Sequence, residues 1–283
     1  MRGLREWWRD LTDLVLPAEC GGCGRGRTVL CPRCRTALSG AAPCRVRPVP
    51  EPPGLPVVHA AARYADEVRA VLLAHKERGV LALTAPLGVA LAGAVRAGLR
   101  EARRGPGDAG AVRARGPVLL VPVPSAPRAV RTRGHDPARR IALAAAGELR
   151  RTGTSARVLA VLRQRHAVAD QSELGARQRL RNLAGALAVV PGGGRLLCGG
   201  GPLVLVDDLM TTGASLTEAA RALRAARAGA KSAVYPSSAG EGREERKAGP
   251  RMAGPNEGGG VIREAICAAV VAASPDSFEI NRN

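Results

Sequence analysis

Beyond residue 56 the chain alternates short apolar runs with longer stretches in which apolar residues recur every three or four positions. "VVHAAARY" (57–64) reads as a strand. Val68, Val71 and Leu72 then share a helical face, and the run from Val80 to Leu99 stays helical in period. "PVLLVPVP" (117–124) is a short buried strand, and "PARRIALAAAGELRR" (137–151) is a helix with Pro137 at its first position, where a missing N–H costs nothing. "RVLAVLR" (157–163) and "GALAVV" (185–190) read as strands. "PLVLVDD" (202–208) is a further buried strand, followed by the helix "SLTEAARALRAARAG" with Gly229 as its expected stop. "AICAAVVAAS" (265–274) is the last strand. Strands alternating with helices predict an α/β fold with a largely parallel sheet flanked by helices. In such sheets ligands sit at the carboxyl ends of the strands.

Three segments fall outside this alternation. In "MRGLREWWRDLTDLVLP", Leu4, Trp7, Trp8, Leu11, Leu14 and Val15 fall at helical spacing, which predicts an amphipathic helix over 1–16. It docks on the body of the protein or lies on a membrane surface. It lacks the uncharged apolar core of a signal peptide. No run approaches the ~18 uninterrupted apolar residues of a membrane span, so the expected location is the cytoplasm. "PCRVRPVPEPPGLP" is Pro-rich and predicts an extended linker over 45–56. The segment 235–260 is charged, Gly-rich and without periodicity, and is expected to be a disordered insertion. The large domain is then 57–234 together with 261–276.

Composition changes this picture in two ways. Aromatic residues make up only 2%, so Leu, Val and Ala must build the core. The formal charge is +19, from 43 basic and 24 acidic residues. That excess favours polyanionic partners, or is the drift of a chain dominated by Ala, Arg, Gly and Pro.

Four of the seven cysteines are grouped in "CGGCGRGRTVLCPRC": Cys20, Cys23, Cys31 and Cys34, spaced C-x2-C-x7-C-x2-C. Two such pairs present four thiolates, which complete a tetrahedral zinc shell with no open position. Gly21, Gly22, Gly24 and Gly26 permit the tight turns that aim backbone N–H groups at sulfur. The expected module is a structural zinc knuckle over 17–44, without catalysis. Cys44 is a spare thiol, and Cys198 and Cys267 are expected as packing residues.

"VLVDDLMTTGAS" (204–215) carries the densest chemistry. A buried strand runs into Asp207 and Asp208, then into Thr211, Thr212, Gly213, Ala214 and Ser215 at the start of a helix. Successive N–H groups and three hydroxyls there suit one phosphate. The carboxylates would repel that phosphate, so they face something neutral and rich in hydroxyls, and a ribose diol fits. The inferred ligand is a ribose 5-phosphate.

This stretch resembles the phosphoribosyl pyrophosphate (PRPP) signature of type I phosphoribosyltransferases. "VPVPSAPRAVRTRGHDPARRIA" (121–142) is similar to the strand–loop–helix that holds pyrophosphate in glutamine amidophosphoribosyltransferases. "RQRHAVADQSELGARQRLRNLAGALAV" is similar to their flexible loop, with Gln171, Arg179 and Asn182 at matching positions. Together with the cysteine knuckle, the combination resembles the ComF family of competence-associated, phosphoribosyltransferase-like proteins. The resemblance implies a type I phosphoribosyltransferase domain that binds PRPP with magnesium and transfers phosphoribosyl to an acceptor the sequence does not reveal. It implies Asp207, Asp208 and Arg179 in catalysis, and Pro124, Ser125, Arg128 and Arg133, with Arg131, around pyrophosphate. Lys76 matches a basic-glycine segment of the family. At family level it also implies the alternative role, an accessory in single-stranded DNA uptake working with the uptake machinery. The scarcity of aromatic side chains argues against base stacking there. Where the family has Arg-Gly-Phe-Asn, this chain has Arg133, Gly134, His135 and Asp136, and His135 is expected as a surface variant.

Overall fold

The structure is a computed structural model that describes residues 19–104, 116–165, 182–198, 201–234 and 266–281. The helix expected at 1–16, the insertion expected at 235–260, and Gln171 and Arg179 lie outside the described residues.

The cysteine segment leads into α1 (Pro32–Ser39) and β1 (Cys44–Val46), followed by β2 (Val58–Arg63), α2 (Asp66–Lys76), a 3-10 turn (Leu81–Leu83) and α3 (Thr84–Ala102). Next come β3 (Val118–Pro122), α4 (Pro127–Arg133), α5 (Pro137–Arg151), β4 (Ala156–Val158), β5 (Leu162–Gln164), β6 (Leu187–Val189) and the short α6 (Gly193–Leu196). The chain then forms β7 (Leu203–Met210), α7 (Ala214–Val234), β8 (Cys267–Ala273) and a final 3-10 segment (Pro275–Asn281). Six strands form one sheet in the order β1-β2-β8-β7-β3-β4, parallel except for the antiparallel β1–β2 pair at one edge. This is a mixed α/β fold with a mostly parallel sheet flanked by helices.

The central strands are apolar at nearly every position because both faces are covered. With side chains alternating across the sheet, Val204, Val206, Ala269 and Val271 join the core built with α3 and α5. Leu203, Leu205, Ala268 and Val270 join the core built with α7. Small residues let the helices of the first layer come close: a Cβ on Gly88 of α3 would lie 2.5 Å from that of Ala144 on α5. Cys20, Leu30, Cys31, Cys34 and Leu38 belong to this same core, so the cysteine segment packs on the sheet domain rather than beside it.

Three local expectations are corrected. "RVLAVLR" is not one strand: β4 pairs with β3, whereas β5 pairs antiparallel with β6 in a separate two-stranded ribbon. The reason lies in β3, whose Pro122 has no N–H to continue the ladder after Leu159 N–H donates to Leu120 O at 2.8 Å. Gly229 does not stop α7, which runs to Val234. A helical glycine costs only about 1 kcal/mol against alanine, and the alanines flanking Gly229 carry the helix past it. Cys198 is exposed rather than packed, while Cys267 is buried as expected. In addition, the first residues of the Pro-rich stretch form β1, the edge strand of the sheet.

The segment Leu81–Ala102, 22 residues that contain an 18-residue stretch of mean hydropathy 1.5, is long and apolar enough to cross a membrane. Here it is a core helix, with Leu87, Leu91 and Val95 fully enclosed among α5 and the sheet.

Candidate functional site

β7 and β3 are neighbours and parallel, so the loops that follow them leave the same edge of the sheet side by side. Val123 N–H donates to Val206 O at 2.9 Å, extending the pairing past Pro122 and bringing Pro124 and Ser125 alongside the acid pair. β7 continues to Met210, so Asp207 and Asp208 lie within the strand and the connecting loop is only Thr211, Thr212 and Gly213. Gly213 has φ +74°, which any residue with a Cβ adopts at a cost. Thr217 locks the next turn, its N–H and hydroxyl donating to Gly213 O at 2.9 and 3.0 Å. The first N–H groups of α7 have no partners within the helix, and Thr212 and Ser215 beside them are half-buried. Ala214 is buried beneath them.

Adjacent strand residues point to opposite faces, so the two aspartates have different surroundings. Asp208 is 5% exposed, and its Oδ2 lies 2.8 Å from Lys76 Nζ at the end of α2. Burial works against the Lys76 ammonium, but the Asp208 carboxylate and then Asp207 outweigh it and hold its pKa above the ordinary lysine value. Asp207 Oδ1 accepts the Asp208 N–H at 2.8 Å. Burial first, and the Asp208 charge second, push the Asp207 carboxyl well above the usual carboxylate range. The edge thus holds one carboxylate paired with an ammonium and one carboxyl that resists ionisation.

The same end of α2 braces the neighbouring loop. Glu77 accepts two hydrogen bonds from Arg133, each at 2.8 Å. Arg133 is therefore committed to an ion pair, whereas Arg128 and Arg131 are exposed and have no acidic partner among the described residues. Asp136 caps α5, with Oδ1 accepting from Arg139 N–H at 3.1 Å, and its Oδ2 accepts from Ser125 N–H at 3.4 Å. Asn182 stands where its segment joins the ribbon, with Nδ2 enclosed and without a partner.

His135 is not a surface variant. It is 8% exposed, and its ring meets His75 edge to face at 5.6 Å. Gly134, with φ +74° at the end of α4, turns the chain back so that the imidazole enters the core. His75 is fully buried, with Nε2 3.0 Å from Thr84 Oγ1. Burial first, then the neighbouring His135, lower its pKa to about 4. Lys76 was legible as a basic candidate. The Glu77–Arg133 pair and the histidine pair were not, because nothing local in the sequence marks contacts between positions that far apart.

The second cluster lies in the N-terminal segment. The four sulfurs of Cys20, Cys23, Cys31 and Cys34 are all within 4.8 Å of one another. A tetrahedral metal with sulfur ligands at about 2.3 Å sets them about 3.8 Å apart, and the Cys23–Cys31 separation is 3.6 Å. Burial raises the Cys20 thiol, but N–H groups of Cys31, Cys23 and Gly22 overcome it and lower its pKa to about 6. Cys34 is pushed far up by burial and by the adjacent thiols. A Cβ on Gly22 would lie 2.7 Å from Cys34 Sγ, so only glycine fits there. The residues fit a metal.

No family model matches the chain, and no curated protein matches it. The fold and its sites therefore define a class only: a mixed α/β protein with a mostly parallel sheet, a polar carboxyl edge, and a four-cysteine cluster able to hold a structural metal such as zinc.

Proposed function

We propose that the carboxyl edge binds PRPP and that the protein is a phosphoribosyltransferase of the ComF type, a glycosyltransferase acting on an acceptor yet to be found. The observation that carries this reading is the adjacency of two parallel strands. β7 delivers the acid pair and a hydroxyl-rich helix start, and β3 delivers a second loop at the same edge.

The chain's own groups divide the work. The N–H groups and hydroxyls at Thr211 to Ser215 hold the 5-phosphate. Asp208, paired with Lys76, accepts from one hydroxyl of the ribose diol, and Asp207 meets the other. Displacement of pyrophosphate passes through a cationic ribosyl state, in which stabilising the leaving group counts for more than a strong base. The loop at Pro124 and Ser125, with Arg128, faces that group, while Arg133, tied to Glu77, sets the loop's position. Magnesium, when bound with PRPP, spreads the charge of the pyrophosphate. Zinc in the four-cysteine cluster has a structural role.

Calorimetry with Mg-PRPP tests the reading. The parent protein binds, and Asp208→Asn weakens binding about tenfold or more through loss of a charge-assisted acceptor. Asp207→Asn has a smaller effect, because its carboxyl is already reluctant to ionise. Equal binding by parent and Asp208→Asn would refute the assignment. The charge of +19 supports the alternative of single-stranded DNA handling. It predicts oligonucleotide binding that falls steeply with salt and is indifferent to Asp208.

A further inference from the structure

At the opposite end of α3 lies a cleft that the proposed function does not use. Its volume is about 270 Å³, and its polar lining is Arg45 and Cys44 from β1, His59 from β2, Arg100 and Glu101 from α3, and Arg104 from the turn after it. Thr84, the first residue of α3, touches His75 beside the acid pair. Glu101 comes 17 residues later, about 25 Å along a helix rising 1.5 Å per residue. The cleft is therefore a separate place.

Its charge is one-sided. Glu101 is its only carboxylate among the described residues, and both oxygens are engaged: Oε1 with Arg45 Nη1 at 3.1 Å, and Oε2 with His59 Nε2 at 2.8 Å. His59 is 3% exposed, and burial first lowers its pKa, so it adds no charge at neutral pH. Arg100 lies in the last turn of α3 and Arg104 in the turn just beyond its end, and neither has an acidic partner among the described residues. Three arginines thus line a cavity whose one carboxylate among the described residues already serves two donors. Glu101 also fixes the direction of Arg45, so that part of the cleft is preorganised.

The geometry points to a second anion site here, built for a compact phosphomonoester held by Arg100 and Arg104 with Arg45 across from them. The planar forks of two free arginines match a phosphate group in two-point contact. The volume falls just below the range of about 300–1,000 Å³ typical of drug-sized ligands, which fits a small metabolite. Nothing in this assignment depends on what binds at the acid pair.

The test is titration of the full chain with inorganic phosphate, read by calorimetry, for the parent and three variants. Arg100→Gln/Arg104→Gln loses one class of binding, about tenfold weaker or more. Both side chains are exposed, so the fold is kept, which thermal unfolding checks. Glu101→Gln strengthens the same class a few-fold, since it removes the competing anion; a purely structural role for the cluster predicts no such reversal of sign. Thr212→Val/Ser215→Ala, at the other edge, leaves this class unchanged. Unaltered phosphate binding in the double arginine variant overturns the site, as does weakening in Glu101→Gln. If the arginine variant loses affinity for a single-stranded oligonucleotide but not for phosphate, the compact-ligand assignment is overturned.

Discussion

The carboxyl edge of the sheet and the four-cysteine cluster both crowd groups that disfavour sharing space, and they relieve the crowding differently. At the edge the relief is internal. Lys76 Nζ sits 2.8 Å from Asp208, and burial with the adjacent Asp208 charge holds the Asp207 carboxyl above the usual carboxylate range. In the cysteine cluster no ammonium or guanidinium contacts a sulfur among the described residues. Backbone N–H groups favour one thiolate at Cys20, while Cys34 holds its proton tightly. The first cluster is complete without help and leaves donors and acceptors free for a ligand. The second becomes favourable only with a cation from outside, and then leaves nothing free. Charge balance separates a site poised for exchange from a site poised for permanence.

Breaking the permanent site has the largest expected effect. Cys34→Ser removes a ligand from a cluster that is continuous with the main core. Loss of a structural metal belongs to the mechanisms that exceed about 4 kcal/mol. Urea unfolding should show such a loss, and metal analysis should show about one zinc per parent chain and none in the variant. A parent that unfolds identically with and without a strong chelator would erase the contrast drawn above.

Acid is the next lever. His75 titrates near 6.5 when unfolded and at about 4 when folded. Its contribution is whole above 6.5 and drains away as pH falls from there towards 4, by about 3 kcal/mol at most. His75→Gln keeps a donor for Thr84 and should flatten that acid loss relative to the parent. Parallel pH profiles for the two proteins would show that the histidine is not held neutral.

A smaller effect is expected from Lys76→Met, which leaves Asp208 buried beside Asp207 without its cation. The cost is about 1–3 kcal/mol. A melting temperature unchanged at pH 7 would mean that the edge is not internally balanced. The smallest effect has the opposite sign. A carboxyl whose pKa is raised by folding contributes fully below its unfolded value, near 3.8, and loses that contribution as pH rises through its folded value. Asp207→Asn escapes this loss. It should raise the melting temperature at pH 8 by about 2–4 °C, the shift that about 1 kcal/mol gives in a chain of this size, and by less at pH 5.

The elements of the sheet domain were legible because their signals are local. The apolar runs of β3, β7 and β8 and the helical period of α3 and α5 can be read within a dozen residues, and each appears near its expected bounds. The cysteine spacing was legible for the same reason. What escaped depends on pairing across the chain. The split between β4 and β5 is decided by a proline in another strand, and the inward turn of His135 by its packing on His75. Of the candidate site, the acid pair and hydroxyl loop were readable, and the partners that set their charge were only partly so. Lys76 stands 132 positions before Asp208, and no periodicity connects them.

The strand edge at Val46 and the loop at Gly213 have a consequence for transplanting the site. Leu55 Cδ1 and Pro48 Cγ lie 3.0 and 3.4 Å from where a Cβ on residue 213 would begin. The Pro-rich stretch is thus a strap laid over the hydroxyl loop. It is tied down by Arg47 N–H to Ser277 O at 2.9 Å and by Arg224 Nη1 to Gly54 O at 3.1 Å. Grafting residues 203–220 alone onto another parallel sheet would move the strand, loop and helix but leave the strap behind, with one side of the loop bare. The smallest portable unit is discontinuous, combining 44–63, 203–224 and 267–277, and it brings with it the edge strand that begins where the cysteine segment ends.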